Sequence, residues 1–352
     1  MSAGSLMKAI TTRIYVTTGR ELVRLTERGG EWNAGLKLVG LPTECVSVDP
    51  LDAERVFCGT FGQGLLLSAD GGETWSPAGE GIAHPQVMSV AVSAAERQGE
   101  HGVVWAGTEP SALFRSEDGG RTWQERASLK DLPSAPTWSF PPRPSTSHVR
   151  WIAPDPIEPE RIFVGIELGG VMRSLDGGLT WEDRKPGSQH DAHVLRTHAS
   201  APGRVYEVAG GGFAESRDAG QTWRPADAGL RHHYLWGLAV DSGDPETMVI
   251  TASRGPGQAH YREYAEACVY RRTAGEPWQA VSSGLPKTKG TRAFPLAAHP
   301  AFAGVFFGVT HAGDLYRSSD AGLNWERIEV SWPRGYEMDA EASPCIDVVA
   351  ES

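Results

Sequence analysis

Cysteine is scarce in this chain: there are four in 352 residues, Cys45, Cys58, Cys268 and Cys345. Their spacing matches no metal-binding or redox motif. Cys45, Cys58 and Cys345 sit in short strand-like runs, so they read as small buried hydrophobes and not as a disulfide framework. Lysine and arginine runs are also missing, and 33 basic against 44 acidic residues leave a net charge of −11. A nucleic-acid partner, which needs a basic face, is excluded on that basis. No stretch approaches the ~18 consecutive apolar residues of a membrane span, and the N-terminal MSAGSLMKAITTRIYV has no sustained apolar core ahead of a cleavage signal. The expectation is a soluble, cytoplasmic protein with no membrane partner. Helical periodicity is absent except around HYREYAEA, residues 260–267. What the chain has in quantity is punctuation, with 42 glycines and 24 prolines, as an all-β protein full of turns requires.

The turns are not scattered. An eight-residue phrase returns along the chain as SADGGETW (68–75), SEDGGRTW (116–123), SLDGGLTW (174–181), SRDAGQTW (216–223) and SSDAGLNW (318–325), with degenerate copies LTERGGEW (25–32) and RRTAGEPW (271–278). The closing tryptophans, Trp32, Trp75, Trp123, Trp181, Trp223, Trp278 and Trp325, lie 42 to 58 residues apart. A period in this range is the mark of a repeat fold. In each good copy the aspartate can accept hydrogen bonds from nearby backbone N–H groups while glycine tolerates positive φ, so the phrase is a hairpin turn. Asp70, Asp118, Asp176, Asp218 and Asp320 are therefore read as scaffold and not as catalysts.

The phrase resembles the Asp-box, or BNR repeat, of sialidases, sortilin-type receptor domains, xyloglucan-degrading glycosidases and photosynthetic assembly factors. That resemblance implies a β-propeller and leaves the activity open, because those families range from glycosidases to protein-binding scaffolds. A sialidase is not the expectation. The resemblance would then require an Arg-Ile-Pro type motif, three arginines around a carboxylate and six blades, whereas this chain has Arg13-Ile14-Tyr15 and seven repeats.

One repeat spells out a blade: CVSVDP, RVFCGTF, GLLLSAD and the segment after Trp75 are four short strands. The order recurs at VMSVAV/VVWAGTE, VRWIAPDP/RIFVGIE, VLRTHAS/RVYEVAG, LWGLAVD/TMVITAS and AFPLAAHP/VFFGVTH. The first repeat opens directly on a second-strand sequence, RIYVTTG (13–19), and CIDVVA (345–350) is left to supply its inner strand. The expected fold is one all-β, seven-bladed propeller domain over residues 1–352. Its blades are expected near 13–42 plus 344–352, 43–83, 84–146, 147–189, 190–231, 232–289 and 290–343, with the ring closed by the C-terminal strand, which removes exposed sheet edges.

Chemistry is expected at one mouth of the channel, where the links into the inner strands meet the turns after the second strands. Eight of the 11 histidines fall on that face. Aligning inner strands on Asp49, Asp155, Ser200, Asp241 and His299 makes His148, His193, Tyr234 and Arg292 equivalent, with Glu167 and the HDAH stretch (190–193) nearby. The first reading is a metal-assisted hydrolase or lyase in which His148, His193, His190 and Glu167 hold one divalent ion (Zn, Mn or Fe) and no organic cofactor is needed. Glu167, Tyr234, His233 and Arg150 are its candidate catalytic residues, and Arg292, Arg196, Trp151, Trp236, Arg254 and His260 its candidate contacts to a small polar or anionic, carbohydrate-like substrate. A metal-free uronate lyase, or a glycosidase built on Glu109 and Glu167, is an alternative. So is a non-catalytic ligand- or protein-binding scaffold of the assembly-factor type. Two insertions on the same face, 127–147 with five prolines and 253–267, are expected to be a stiff extended arm and a lengthened turn.

Overall fold

The computed structural model describes residues 11–333 and 344–351. Its strands form seven separate sheets arranged as blades. Blade 1 takes Thr11–Thr17, Leu22–Arg28 and Glu31–Lys37, and blade 2 takes Thr43–Asp49, Asp52–Thr60, Leu65–Ser68 and Ser76–Pro77. Blade 3 is Gln86–Gln98, His101–Glu109, Leu113–Ser116 and Gln124–Glu125, and blade 4 is Val149–Pro154, Ile162–Ile166 and Gly170–Ser174. Blade 5 is Ala192–Thr197, Val205–Ala209, Gly212–Ser216 and Arg224–Pro225, and blade 6 is Tyr234–Val240, Met248–Ser253, Cys268–Arg272 and Gln279–Val281. Blade 7 is Leu296–Ala298, Phe306–Val309, Leu315–Ser318 and Glu326–Ile328. The seven-bladed all-β expectation holds, and so does the closure: Ile346–Glu351 pairs antiparallel with Thr11–Thr17, Tyr15 opposite Asp347. Blade 4 departs from four full strands, its outer position shrinking to a bridge between Arg173 and Glu182.

Central strands read as near-continuous apolar runs because neighbouring blades cover both their faces. Ile162–Ile166 and Val205–Ala209 are buried at every position. Burial there puts Phe163 and Val205 into one inter-blade core, and Tyr206 and Val208 into the next.

The repeated phrase folds as expected. Ser116 Oγ donates to Asp118 Oδ1 at 2.8 Å and accepts the Gly120 N–H at 2.8 Å, while the Thr122 N–H and hydroxyl donate to the two oxygens of Asp118 at 2.9 and 2.6 Å. The other four good copies repeat this pattern at Asp70, Asp176, Asp218 and Asp320. The residue after each aspartate is left-handed, with φ of 65° at Gly71, 74° at Gly119, 69° at Gly177, 59° at Ala219 and 61° at Ala321.

Two consequences can be measured. Alanine in the left-handed region costs roughly 1–2 kcal/mol, partly offset by the extra chain entropy of glycine, so Ala219→Gly and Ala321→Gly should each stabilise by about 0.5–1 kcal/mol in denaturant titration. Burial raises the Asp118 carboxyl, but the bonds from Thr122 and Ser116 outweigh it and hold the group down at about 2. A carboxylate depressed in the folded state contributes stability that is complete above its unfolded pKa, near 3.8, and disappears as pH falls through its folded value. Acid titration should therefore show stability falling between about pH 4 and 2, and Asp118→Asn should flatten that part of the profile.

Candidate functional site

In five blades the first strand breaks register once near its start: between Thr43 and Cys45, Val87 and Ser89, Val149 and Trp151, Ala192 and Val194, and Leu235 and Leu238. The extra residues are Glu44, Met88, Arg150, His193 and the pair Trp236–Gly237. A bulge re-aims a side chain, and its repetition places a ring of chemically different residues around the channel mouth. Glu44, Met88 and Arg150 line a channel cavity of about 390 Å³.

This register corrects the expected alignment. Asp49, Asp155 and Asp241 each accept the backbone N–H two residues on, from Leu51, Ile157 and Gly243. His198 takes the same bond from Ser200 and His299 from Ala301, so blade 5 is anchored on His198 and not on Ser200. Shifted by two, His148 corresponds to Asp191 and Tyr234, while His193 corresponds to Arg150 and Trp236.

At the mouth, His148 is 2% exposed and lies between two carboxylates, its Nε2 2.9 Å from Glu167 Oε2 and its Nδ1 3.5 Å from Glu109 Oε2. Glu109 and Glu167 thus embrace an imidazole, and the space a glycosidic substrate would need between them is filled. Arg143 adds a bidentate pair to Glu109 at 2.5 and 2.6 Å and sits over Phe61 and Phe140, the latter edge-on to His148. The proline-rich insertion therefore does lie over this face. It is compact rather than extended, because Ala127–Asp131 and Ala135–Thr137 turn as 3-10 helices.

Beside His148, one oxygen each of Glu167 and Asp191 and a ring nitrogen of His193 fall within 4.8 Å of one another. His193 is fully buried, and its Nδ1 lies 2.6 Å from the Leu235 carbonyl. A carbonyl only accepts, so Nδ1 carries the hydrogen and Nε2 presents its lone pair when the ring is neutral. That Nε2 is buried without a hydrogen-bond partner, although Asp191 Oδ2 is 3.4 Å away. A lone pair facing two carboxylates is repulsive unless a proton or a cation lies between them. Burial works to raise Glu167, yet the His148 bond, with Arg150 and His193, brings it down to about 2.

The remaining candidates divide. Arg150 lies 3.6 Å from Glu167 and 4.8 Å from the Trp236 ring centroid. Tyr234 and His260 meet at 3.0 Å, and His260 packs edge-on to Trp236. Burial, then His193, pushes the His260 imidazole down to about 4, so it is neutral at pH 7. Tyr234 is raised, by burial first and then by Asp191 and Glu167. Arg292 is half-buried and acts electrostatically on His260 and His311. Arg196 sits over Trp151, 4.6 Å from its centroid, deeper in the channel. Three expectations fail. His190 is exposed beside Arg184 at 3.4 Å, His233 is exposed while its neighbour His232 bonds Tyr270, and Arg254 is exposed and paired with Glu266. Sequence proximity put them with the cluster, but their side chains leave the mouth. The His148/His193/His190/Glu167 set is accordingly replaced by Glu167, Asp191 and His193. The strap residue Arg143 was missed altogether; nothing in a proline-rich loop singles out one arginine.

No family model matches this chain, and no curated protein matches it. Solved structures do. An ancestral GH74 enzyme superposes with a TM-score of 0.62 at 17% identity over 88% of this chain, which spans only 38% of that enzyme. A structure of YCF48 bound to D1 peptide gives a TM-score of 0.56 at 18% identity, covering 82% of each chain. YCF48 from Cyanidioschyzon merolae gives 0.54 at 16% identity, over 82% of this chain and 85% of that one. At such identities the likeness establishes the propeller fold.

The strap offers a direct test. Arg143→Ala leaves the buried Glu109 with only a long contact to His148 and should cost about 2 kcal/mol, in the range for a hydrogen bond to a charged group. Arg143→Ala combined with Glu109→Gln should recover most of that loss in chemical denaturation, and limited proteolysis of either variant should cut within 127–147 faster than in the native chain.

Proposed function

We propose that the channel mouth is a divalent-cation-assisted catalytic site of the hydrolase or lyase class, acting on a small polar or anionic substrate. The observation that carries this reading is His193: a fully buried imidazole whose tautomer is fixed by Leu235 and whose unpartnered Nε2 faces Glu167 and Asp191. Imidazole with two carboxylates suits Zn²⁺, Mn²⁺ or Fe²⁺, and a backbone acceptor on the far ring nitrogen is the usual support for a metal-ligating histidine. When bound, such an ion polarises a substrate oxygen or lowers the pKa of water. The chain supplies the rest. His148 donates to Glu167 and fixes the carboxylate that faces His193, Arg150 places a cation against Trp236, and Tyr234 keeps its proton, its hydroxyl held by His260 as a neutral hydrogen-bonding group beside the cluster.

A second reading has its own support. YCF48, covered over 82% of its length, was solved with a peptide bound, whereas the GH74 enzyme is covered over 38%. By that analogy the aromatic and charged mouth would be a docking platform for a peptide, with no turnover.

Elemental mass spectrometry on untagged protein decides between them. The catalytic reading expects about one equivalent of Zn, Mn or Fe, lost in His193→Ala and in Asp191→Asn and retained in His190→Ala. Adding the ion at 100 times its Kd to metal-stripped protein should stabilise the fold by about 2.7 kcal/mol. Absence of bound metal, with no thermal shift from any of the three ions, would sink the catalytic reading and leave the platform.

A further inference from the structure

We propose that the channel below the rim is a binding site for a compact oxyanion, a carboxylate or phosphate group, held between the guanidiniums of Arg196 and Arg150. The inference rests on the catalytic reading only in assigning the rest of the same molecule to the mouth; the anion site itself requires no metal.

The sequence register singles out Arg196 and Asp347. Strand pairing puts Ser47 opposite Phe57, Ala91 opposite Trp105, Ala153 opposite Phe163, Arg196 opposite Tyr206, Ala239 opposite Val249, Ala297 opposite Phe307 and Asp347 opposite Tyr15, so these seven residues hold one level of the ring. Five are alanine or serine. The other two are Arg196 and Asp347, and Ser47, Ala91, Ala239 and Ala297 line the same cavity with them. Small residues on five blades leave the space, and one arginine and one aspartate mark it. At about 390 Å³ the cavity is in the range that holds small ligands.

Among the described residues Arg196 makes no hydrogen bond and no close ion pair; it packs over the Trp151 ring at 4.6 Å, with Asp347 acting on it through space. Arg150, one bulge above, lies over Trp236, and its buried Nε makes no hydrogen bond, with Glu167 Oε2 at the longer distance of 3.6 Å. A guanidinium carries five N–H donors in a planar fork, cannot shed its proton, and is costly to withdraw from water without an acceptor. Indole faces hold the two cations in place without satisfying those donors. The acids in the same cavity, Asp347 and Glu44, make no hydrogen bond to either guanidinium. Asp347 accepts the backbone N–H groups of Val48 and Val348, at 2.7 and 2.9 Å, and attracts Arg196 only through space. Burial raises its carboxyl, and burial likewise pushes Glu44 up to about 7 against the pull of Arg150 and Arg143. The channel thus holds two guanidiniums whose donors make no hydrogen bond to the described residues. Their geometry suits a planar or tetrahedral oxyanion, which accepts bidentate bonds from the fork.

The test is isothermal titration of the untagged full chain with inorganic phosphate and, separately, with glucuronate, each at two salt concentrations. Binding of either is expected, weakening with salt and at least tenfold weaker in Arg196→Met. Arg196→Lys should fall between them, keeping the charge but losing the fork. Because Arg196→Met relieves an unpaired cation, its melting temperature should match or exceed the native one. Ser47→Glu, which leaves both arginines in place and adds a second carboxylate at the level of Arg196, should also abolish binding should the first variant misfold. Binding that survives in His193→Ala supports the anion site whatever the metal analysis returns. No binding of either anion by the native chain, affinity unchanged in Arg196→Met and Ser47→Glu, or loss in His193→Ala but not in Arg196→Met would each overturn it.

Discussion

Everything else in this molecule depends on how one blade grips the next, and the grip is a hydrogen bond from an arginine of one blade to the carbonyl of the left-handed residue in the following repeat phrase. Arg24 donates to Gly71, Arg55 to Gly119, Arg126 to Gly177, Arg173 to Ala219 and Arg271 to Ala321, at 2.5 to 3.0 Å. The left-handed backbone is what turns that carbonyl outward toward the neighbour, and the serine and aspartate bonds hold the turn rigid enough to present it. An aspartate far from the channel therefore acts on function indirectly, by fixing the angle between blades and so the width of the mouth.

Where the phrase decays, the structure seals the joint another way, and this explains what was legible. The degenerate copy in blade 1 receives a parallel pairing from Val330–Ser331 against Trp32 and Asn33. The degenerate copy in blade 6 leans on Trp278, whose backbone N–H bonds Ala228 and whose indole bonds Ala226. Intact copies announce themselves because their hydrogen bonds run within eight residues, and the ring closure is legible because a missing inner strand at one end and a spare strand at the other leave one solution. The parallel pairing is not, since it joins residues some 300 positions apart through backbone groups that any sequence possesses.

The site was half legible for a related reason. A loop histidine can be assigned to a face from its place in the repeat, and His148, His193 and His260 do meet at the mouth. Direction is another matter: His190 and His193 are three residues apart, yet one is exposed and the other fully buried. The alignment slipped because His198 replaces an aspartate as the acceptor that closes the first turn of blade 5, an exchange of roles between residue types that share no chemistry except a lone pair. Once that anchor is set by its hydrogen bond, Asp191 moves into the place given to His193, and a carboxylate joins the triad.

The repeat and the site are in the end opposite uses of the same symmetry. Seven similar blades hand the channel seven equivalent positions at every level, and equivalent residues there would give a featureless tube. The chain breaks the equivalence at the mouth and again deeper in the channel. At the bulge, five blades contribute a carboxylate, a thioether, a guanidinium, an imidazole and an indole, where a repeat under purely structural constraint needs nothing polar. Deeper in the channel, five small residues face Arg196 and Asp347. Buried polar atoms without partners occur both at the bulge, as Arg150 Nε and His193 Nε2, and on the arginines that grip the next repeat phrase, as Arg24, Arg55 and Arg173 Nε, so they do not by themselves mark the site. What sets the mouth apart is residue type: His148, His193, Glu167, Asp191 and Arg150 are packed against one another there. Ionisable groups crowded where the repeats disagree are the physical reason for placing the function at the channel and not at the phrase that defines the fold.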